Sequence, residues 1–207
     1  MQFMQTRKVY HCCFACLLCL ITLIGTSRML IAEQFLTIKE AQNVLFPKAT
    51  SFEGQAIRFT DAERDLIASR IGEKLRHRGH RIWTATNGED FQGVMVLDHV
   101  LGKHQLIDYA VAISPEGKVL GVEILEYRES HGGEIRQEKW RNQFLGKTSE
   151  SDLKLHEDIY NISGATISCR HVTEGIRRVL VTYEMVIRPR LDNNTLLLRN
   201  PSTRGPR

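Results

Sequence analysis

Two small residues stand between two hydroxyl groups in the stretch Ser163-Gly164-Ala165-Thr166, directly before an apolar-periodic run that predicts a helix. Glycine and alanine let a backbone approach a ligand closely, and the free N–H groups at a helix N-terminus bind oxyanions. The stretch therefore predicts a phosphate-binding turn. The alternative is an ordinary helix cap, in which Ser163, Thr166 or Ser168 accepts a hydrogen bond from the backbone.

A second stretch that could contact a ligand is the polar loop Glu126 to Ile135, which contains the pair Gly132-Gly133. A polar loop at the edge of a sheet commonly forms part of a ligand pocket. The alternative is that this loop is only a mobile connector between two elements. Both stretches need a sheet and a long helix to position them.

The sheet is predicted by short apolar runs of period two, which indicate four antiparallel strands. Asn87-Gly88 and Pro115-Glu116-Gly117 supply the turn residues that hairpins require, and Gly102-Lys103 is a weaker turn. A further strand is predicted at Gln55 to Phe59. The four strands are Ile82 to Thr86, Phe91 to Val100, Leu106 to Ser114 and Lys118 to Tyr127.

Helices are predicted on both sides of these strands in the chain. Thr37 with Glu40, and Thr60 with Glu63, form capping boxes for a helix to Phe46 and a helix ending near Gly79. The basic run Lys74 to Arg78 would then be a last helical turn, where the helix dipole favours cations. The alternative is that this run binds phosphate.

Two more helices follow the strands. The short helix Glu138 to Phe144 carries Trp140 and Phe144 on one face, as expected of core residues rather than cofactor contacts. The long helix after Thr166 runs to about Ile187, and Pro189 is expected to end it.

The histidines near the predicted strands, His80, His99 and His104, have no ligand-like spacing with carboxylates. Strand ends and polar faces account for them, so no metal site is predicted. No catalytic residue is predicted either.

The amino-terminal segment 1–32 predicts export. Arg7 and Lys8 precede the apolar run Cys12 to Ile24, which is typical of a signal peptide or, if uncleaved, of a membrane anchor. Four of the five cysteines lie in this run without polar partners, which argues against metal ligation. After processing only Cys169 remains, and the domain is expected to face the periplasm or the outer face of the cytoplasmic membrane.

Composition predicts one α+β domain at residues 33–187, an antiparallel sheet packed with helices, followed by a basic disordered tail at 188–207. Of the net charge of +4, the segments 1–32 and 188–207 carry +3 and +4, which leaves −3 for the middle. The surplus of positive charge lies at the ends, so nucleic-acid binding is disfavoured.

The stretch Ile162 to Ser168, followed by an amphipathic helix, resembles the flavinylation signature of the bacterial FMN-binding domain family. That family includes the G component of the Rnf electron-transport complex, the C component of the sodium-pumping NADH:quinone oxidoreductase, and small exported FMN-binding proteins. The resemblance covers about residues 36–187, and the loop Tyr127 to Gly133 looks like the small exported branch.

The resemblance implies that FMN is the cofactor and that a flavin transferase outside the cytoplasm, using FAD and a divalent metal, joins it through a phosphoester to Thr166. The family pattern usually has an aspartate three residues before the first hydroxyl, where this chain has Tyr160; Asp158 is two residues further away. Tyr160 either stacks on the isoalloxazine or packs in the domain. The implied cofactor-binding residues are Glu129, Gly132, Gly133, Ser163, Gly164, Ala165 and Thr166.

The resemblance implies an electron-transfer flavoprotein that works with a membrane-bound redox complex, rather than an enzyme with its own substrate. Two alternatives remain open. One is a sensory or interaction module of the same fold whose flavin is non-covalent or lost. The other is a flavin-dependent reductase that uses Cys169, although this thiol has no resolving partner.

Overall fold

Six antiparallel strands form one sheet in the order β1-β6-β5-β4-β3-β2 in a computed structural model that describes residues 33–129 and 131–193. The strands are β1 (Glu33–Gln34), β2 (Ser51–Arg58), β3 (Gly79–Asn87), β4 (Asp90–Leu101), β5 (Leu106–Ile113) and β6 (Val119–Tyr127). The predicted signal or anchor, and the part of the predicted tail after residue 193, lie outside the described residues. None of the helices within 33–193 that the structure describes is long and apolar enough to cross a membrane.

The four predicted hairpin strands are β3 to β6, and the predicted turns join them. Gly88 and Gly117 take φ values of +61° and +82°, which glycine adopts at no steric cost. The predicted strand at Gln55 is the second half of β2. The α+β architecture expected from the sequence is confirmed.

Five α-helices accompany the sheet. They are α1 (Ile38–Leu45), α2 (Asp61–Ile71), α3 (Glu138–Arg141), α4 (Thr166–Thr182) and α5 (Arg188–Asp192). Both predicted capping boxes are present: the Thr37 and Thr60 side chains accept from the N–H groups of Glu40 and Glu63, whose carboxylates accept in return.

The sheet is covered on both faces. On one face Val96, Tyr109 and Val111 pack with Val172 and Ile176 of α4 in the largest hydrophobic cluster. On the other face the alternate residues of the same strands pack with α1; they are Ala85, Met95, Ala110 and Ala112 against Ala41, Leu45 and Phe46. The period-two pattern thus divides each strand between two cores.

The end of α2 differs from the prediction. The helix ends at Ile71 rather than near Gly79, because Gly72 takes a left-handed conformation with φ of +79° and its N–H donates to the Ala68 carbonyl at 2.9 Å. The basic run Lys74 to Arg78 therefore lies in a non-helical connection to β3, and it is not a last helical turn.

The helical run that starts at Thr166 also ends elsewhere than predicted. A π-helical turn at Tyr183–Ile187 follows α4, and α5 continues to Asp192, so the first residues of the predicted tail are helical. Pro189 lies in the first turn of α5, directly after the π-helical turn. Proline therefore does not end the helical run.

The aromatic pair of the short helix lies in the core, as predicted. Trp140 and Phe144 are both buried, with ring centroids 5.2 Å apart in an edge-to-face arrangement. A 3₁₀ turn at Gly133–Arg136 precedes α3, and another at Asn142–Phe144 follows it.

Candidate functional site

Thr166 is the first residue of α4, and Ala165 occupies the N-cap position without a side-chain hydrogen bond to the helix. The alternative that Ser163, Thr166 or Ser168 caps this helix is therefore wrong. The N–H groups of a first helical turn have no intrahelical partner, and the N-cap residue Ala165 offers no side-chain acceptor to them. Together with the helix dipole, they can bind an anion beside Thr166.

The two residues before Ala165 leave the approach to Thr166 open. Ser163 and Gly164 are exposed, whereas Ala165 is buried. Gly164 has a φ of +86°, and a Cβ added there would meet no atom within 4 Å. Gly164 is thus required by its backbone conformation, and the space above it can admit a ligand.

The Thr166 side chain is held by Asn161, a residue that the sequence analysis did not single out. The amide Nδ2 of Asn161 donates to the Thr166 Oγ1 at 2.9 Å. Thr166 Oγ1 accepts this bond, so its own proton remains available to another partner. The Asn161 Oδ1 is buried, and no residue of the described chain donates a hydrogen bond to it.

The second predicted stretch lies against the first. The hydroxyl of Tyr127, at the end of β6, donates to the carbonyl of His131 at 2.5 Å and lies 2.9 Å from the Ser168 hydroxyl. Because the phenol proton goes to His131, Ser168 is the donor to Tyr127. The pKa of Tyr127 is raised, mainly by burial, so the phenol stays protonated.

Of the pair Gly132-Gly133, the contact between Tyr127 and Ser168 requires a glycine only at position 132. Its φ is +89°, and an added Cβ would lie 2.6 Å from the Tyr127 Oη and 3.4 Å from the Ala165 Cα. At Gly133 an added Cβ would meet only the Tyr127 ring at 3.9 Å, which is ordinary contact. The loop therefore tolerates a side chain at Gly133 and none at Gly132.

Glu129 binds the β4–β5 turn. Its Oε1 accepts from the N–H groups of His104 and Gln105, the latter at 2.9 Å. Burial acts to raise the pKa of Glu129, but these N–H donors and the His104 charge outweigh it, and the pKa is lowered. In this arrangement Glu129 joins the predicted loop to the turn that begins at Gly102.

Tyr160 is 78% exposed. The alternative that it packs in the domain is therefore wrong. Its backbone is fixed on both sides, because the N–H donates to the Gln143 Oε1 at 2.6 Å and the carbonyl accepts from the Trp140 Nε1 at 2.9 Å. The buried Trp140 thus positions the segment that leads to Asn161.

Asp158, the nearest aspartate before the motif, is engaged away from it. Its Oδ1 lies 2.5 Å from the Lys147 Nζ, and its Oδ2 accepts from the Leu153 N–H at 3.3 Å. These contacts hold the carboxylate in the loop between α3 and α4.

Cys169 is fully buried on α4 and forms no disulfide. Burial raises the pKa of its thiol, which disfavours the nucleophilic thiolate. The arrangement around Cys169 therefore gives no support to a reductase that uses this thiol.

Comparison with known proteins relates the part of the chain that contains both stretches to a family. Residues 102–181, which include both stretches, match the FMN-binding domain family. The G component of the Na⁺-translocating ferredoxin:NAD⁺ oxidoreductase complex of Acetobacterium woodii is 27% identical over 154 residues, 70% of this chain and 72% of that protein. The G component of the proton-translocating complex of Clostridium ljungdahlii is 28% identical over 81 residues, 36% of this chain and 44% of that protein.

A solved structure shares the fold. The crystal structure of Shewanella oneidensis NqrC superposes with a TM-score of 0.51 at 16% sequence identity, over 76% of this chain and 90% of that one. The chain therefore carries an FMN-binding domain over the matched residues 102–181. This domain is related to those of the two G components and shares the fold of NqrC, and its cofactor is FMN.

The residues around Thr166 fit the phosphate end of FMN. The uncapped first turn of α4 offers N–H donors, and the open space above Gly164 can admit the group. FMN supplies one- and two-electron redox chemistry when bound. Toward that group the chain would contribute the N–H donors of α4, the Thr166 hydroxyl and the Asn161 amide that orients it.

Proposed function

We propose that this protein is an extracytoplasmic electron-transfer flavoprotein whose FMN is joined by a phosphoester to the Thr166 hydroxyl. A flavin transferase would load the cofactor, and a membrane-bound redox complex would exchange electrons with it. The predicted site residues are those given above, with Asn161 added as the residue that orients the acceptor hydroxyl.

The single observation that carries the proposal is the state of the Thr166 hydroxyl. A threonine at the first position of a helix often serves as a cap or packs away, but here Oγ1 is held by Asn161 and caps nothing. The hydroxyl lies beside uncapped N–H groups that suit a phosphate, on a segment that solvent reaches at Ser163 and Gly164.

The attachment step balances with FAD as the donor. The Thr166 Oγ1 forms a bond to the phosphorus of the FMN half of FAD, and the P–O bond to the AMP half breaks. AMP leaves with the bridging oxygen, and the hydroxyl proton passes to a base of the transferase. Thr166 is an attachment point in this step, and the chain itself needs no catalytic residue for it.

Electron transfer is supported by the relatives. The two G components are named as parts of ferredoxin:NAD⁺ oxidoreductase complexes, and the family match at residues 102–181 contains Thr166 and Gly132. An extracytoplasmic location is supported by the apolar run behind Arg7 and Lys8. A flavin carrier at this face would take electrons from, or give them to, a neighbouring protein of the complex.

The experiment is in-gel flavin fluorescence. The full chain is produced for export together with a flavin transferase, denatured and resolved on a gel. A fluorescent band is expected for the wild type, none for Thr166→Val, and a weaker band for Thr166→Ser, which keeps a hydroxyl. Thr166→Val keeps the shape of the side chain, and its urea midpoint reports whether the domain still folds.

A dark wild-type band would remove the covalent claim. A Thr166→Val band as bright as that of the wild type would move the attachment to another residue. Flavin absorbance of the native protein, measured beside the gel, separates loss of the covalent bond from loss of binding.

A second candidate is a non-covalent flavin-binding module, and Tyr160 is the observation that favours it. Tyr160 stands where the family pattern has an aspartate, and Asp158 is held by Lys147 and Leu153. A transferase that needs this acid would not load the chain. This candidate predicts a dark denatured band together with flavin absorbance in the native protein.

A further inference from the structure

Three imidazoles lie around a buried carboxylate near the end of β4. Asp98 is 2% exposed. His77, His80 and His99 surround it, with ring centroids of His77 5.8 Å from His80 and 5.2 Å from His99. The sequence spacing of these histidines gives no sign of this arrangement, because the fold and not the chain order brings them together.

The two oxygens of Asp98 have different surroundings. Oδ2 accepts from the Tyr109 hydroxyl at 2.6 Å and from the Arg178 guanidinium at 2.7 Å. Oδ1 is buried and accepts no well-aligned hydrogen bond from the described residues. The nearest imidazole nitrogens to it are the His77 Nε2 at 3.2 Å and the His80 Nδ1 at 3.7 Å.

The backbone explains how the partly exposed His77 and the exposed His99 both come close to Asp98. The left-handed Gly72 ends α2 early, so His77 lies in an extended connection instead of on a helix face. β4 extends beyond its last pair with β3, Leu97 with Arg81, so His99 lies at a free edge of the strand. The His99 side chain can therefore approach the Asp98 carboxylate past this edge.

The donor atoms already have metal-like separations. One ligand atom from each of His77, Asp98 and His99 lies within 4.8 Å of the others. Around a tetrahedral Zn²⁺ with bonds of about 2.0–2.1 Å, neighbouring ligand atoms are roughly 3.3 Å apart. The His77–Asp98 separation of 3.2 Å matches this value, and the exposed His99 can close the remaining gap by side-chain rotation.

We propose that His77, Asp98 and His99 form a binding site for a divalent transition metal ion, with Zn²⁺ as the simplest occupant. Two imidazoles and one carboxylate are a donor set that binds such ions. Arg178 and Tyr109 fix the carboxylate by its other oxygen, in the way that supporting hydrogen bonds orient the ligands of metal sites.

The remaining coordination position faces an open pocket of about 1060 Å³. Five arginines contribute to its lining, together with Glu174 and several aliphatic residues, and these arginines are Arg58, Arg76, Arg78, Arg81 and Arg178. Because the site would hold a dication beside these cations, its open position favours water, hydroxide or an anionic ligand. Arg178 lies twelve residues after Thr166 on α4, so the two sites are about 18 Å apart along one helix.

The experiment is a metal titration of the full chain. Zn²⁺ binding is measured by equilibrium dialysis, and Co²⁺ binding by its visible d–d absorption, on the wild type and on His77→Ala and His99→Ala. We expect one Zn²⁺ that both variants bind more weakly by about 10- to 100-fold. These two side chains are not fully buried, so their removal spares the core, whereas Asp98→Asn would strand the buried Arg178.

His104→Ala is the matched control, because this exposed histidine lies outside the cluster and its hydrogen bond to Glu129 comes from the backbone N–H, which alanine keeps. It should bind Zn²⁺ like the wild type. Cys12, Cys13, Cys16 and Cys19 are also potential ligands, and a thiolate-to-cobalt charge-transfer band reports them separately. Wild-type affinity in both His77→Ala and His99→Ala, or no stoichiometric Zn²⁺ in the wild type, would overturn the proposal.

Discussion

The hydroxyl of Tyr127 lies 2.9 Å from the hydroxyl of Ser168, and this bond joins the end of β6 to the first turn of α4 across 41 positions of sequence. Tyr127 also donates to the His131 carbonyl, so the loop that contains Gly132 is tied to the same point. The two stretches that resemble the family are therefore one structural unit, and Gly132 fills the space between them.

We predict that Gly132→Ala destabilises the domain by about 2 kcal/mol or more, from backbone strain and overpacking together. The φ of +89° disfavours alanine, and the new Cβ would lie 2.6 Å from the Tyr127 Oη. Gly88→Ala meets no neighbour at a φ of +61°, so it isolates the strain at about 1 kcal/mol. Gly133→Ala should change little. Urea unfolding of the three variants checks this order, and equal losses at Gly132 and Gly88 would contradict the close packing.

The sheet was predictable because its signals are local. Period-two runs and turn residues such as Asn87-Gly88 specify hairpins without reference to the rest of the chain. The end of α2 was not predictable from the sequence. Leu75 continues the helical spacing of Ile67 and Ile71 and is itself buried, so the pattern indicates a longer helix. The chain folds back after Gly72 to bury Leu75, whose carbonyl accepts from Arg64 at 3.2 Å.

The candidate site likewise has features that local sequence predicts and contacts that only the fold creates. The placement of Thr166 at a helix start follows from a local pattern, and the structure has it there. The contacts of Tyr127 with Ser168 and of Trp140 with the Tyr160 carbonyl span long stretches of chain. Such contacts depend on the packed fold, so residue spacing does not indicate them. Asn161 was close enough in sequence to be noticed, but an asparagine in a loop has many other uses.

The ion pair of Asp98 with Arg178 gives a second prediction. Their side chains are 0% and 10% exposed, so removing one partner leaves a buried charge. Arg178→Met should lower the free energy of unfolding by about 3–5 kcal/mol, measured by urea in the presence of a chelator. Arg70→Met, which breaks an exposed bridge to Glu150, is the control and should have a far smaller effect. Similar losses for the two variants would mean that Asp98 finds another donor.

The last prediction concerns Gly164 and the approach of a phosphate to Thr166. Gly164 and Gly72 have φ values of +86° and +79°, and an added Cβ would meet nothing within 4 Å at either position. Valine should therefore strain the backbone equally at both, and the two variants should have similar urea midpoints. They differ in place, because Gly164 lies two residues before Thr166 and Gly72 lies at the end of α2.

We expect Gly164→Val to lower flavin content by about 10-fold or more, since a small displacement of reacting groups is enough for such a loss. Gly72→Val should load like the wild type. Flavin absorbance per protein, after co-production with the transferase, measures this for the native and the denatured chain. If both variants load as much flavin as the wild type, the phosphate does not come close to Gly164. If both fail to load while folded, backbone strain alone accounts for the loss, and the space above Gly164 has no part in binding the cofactor.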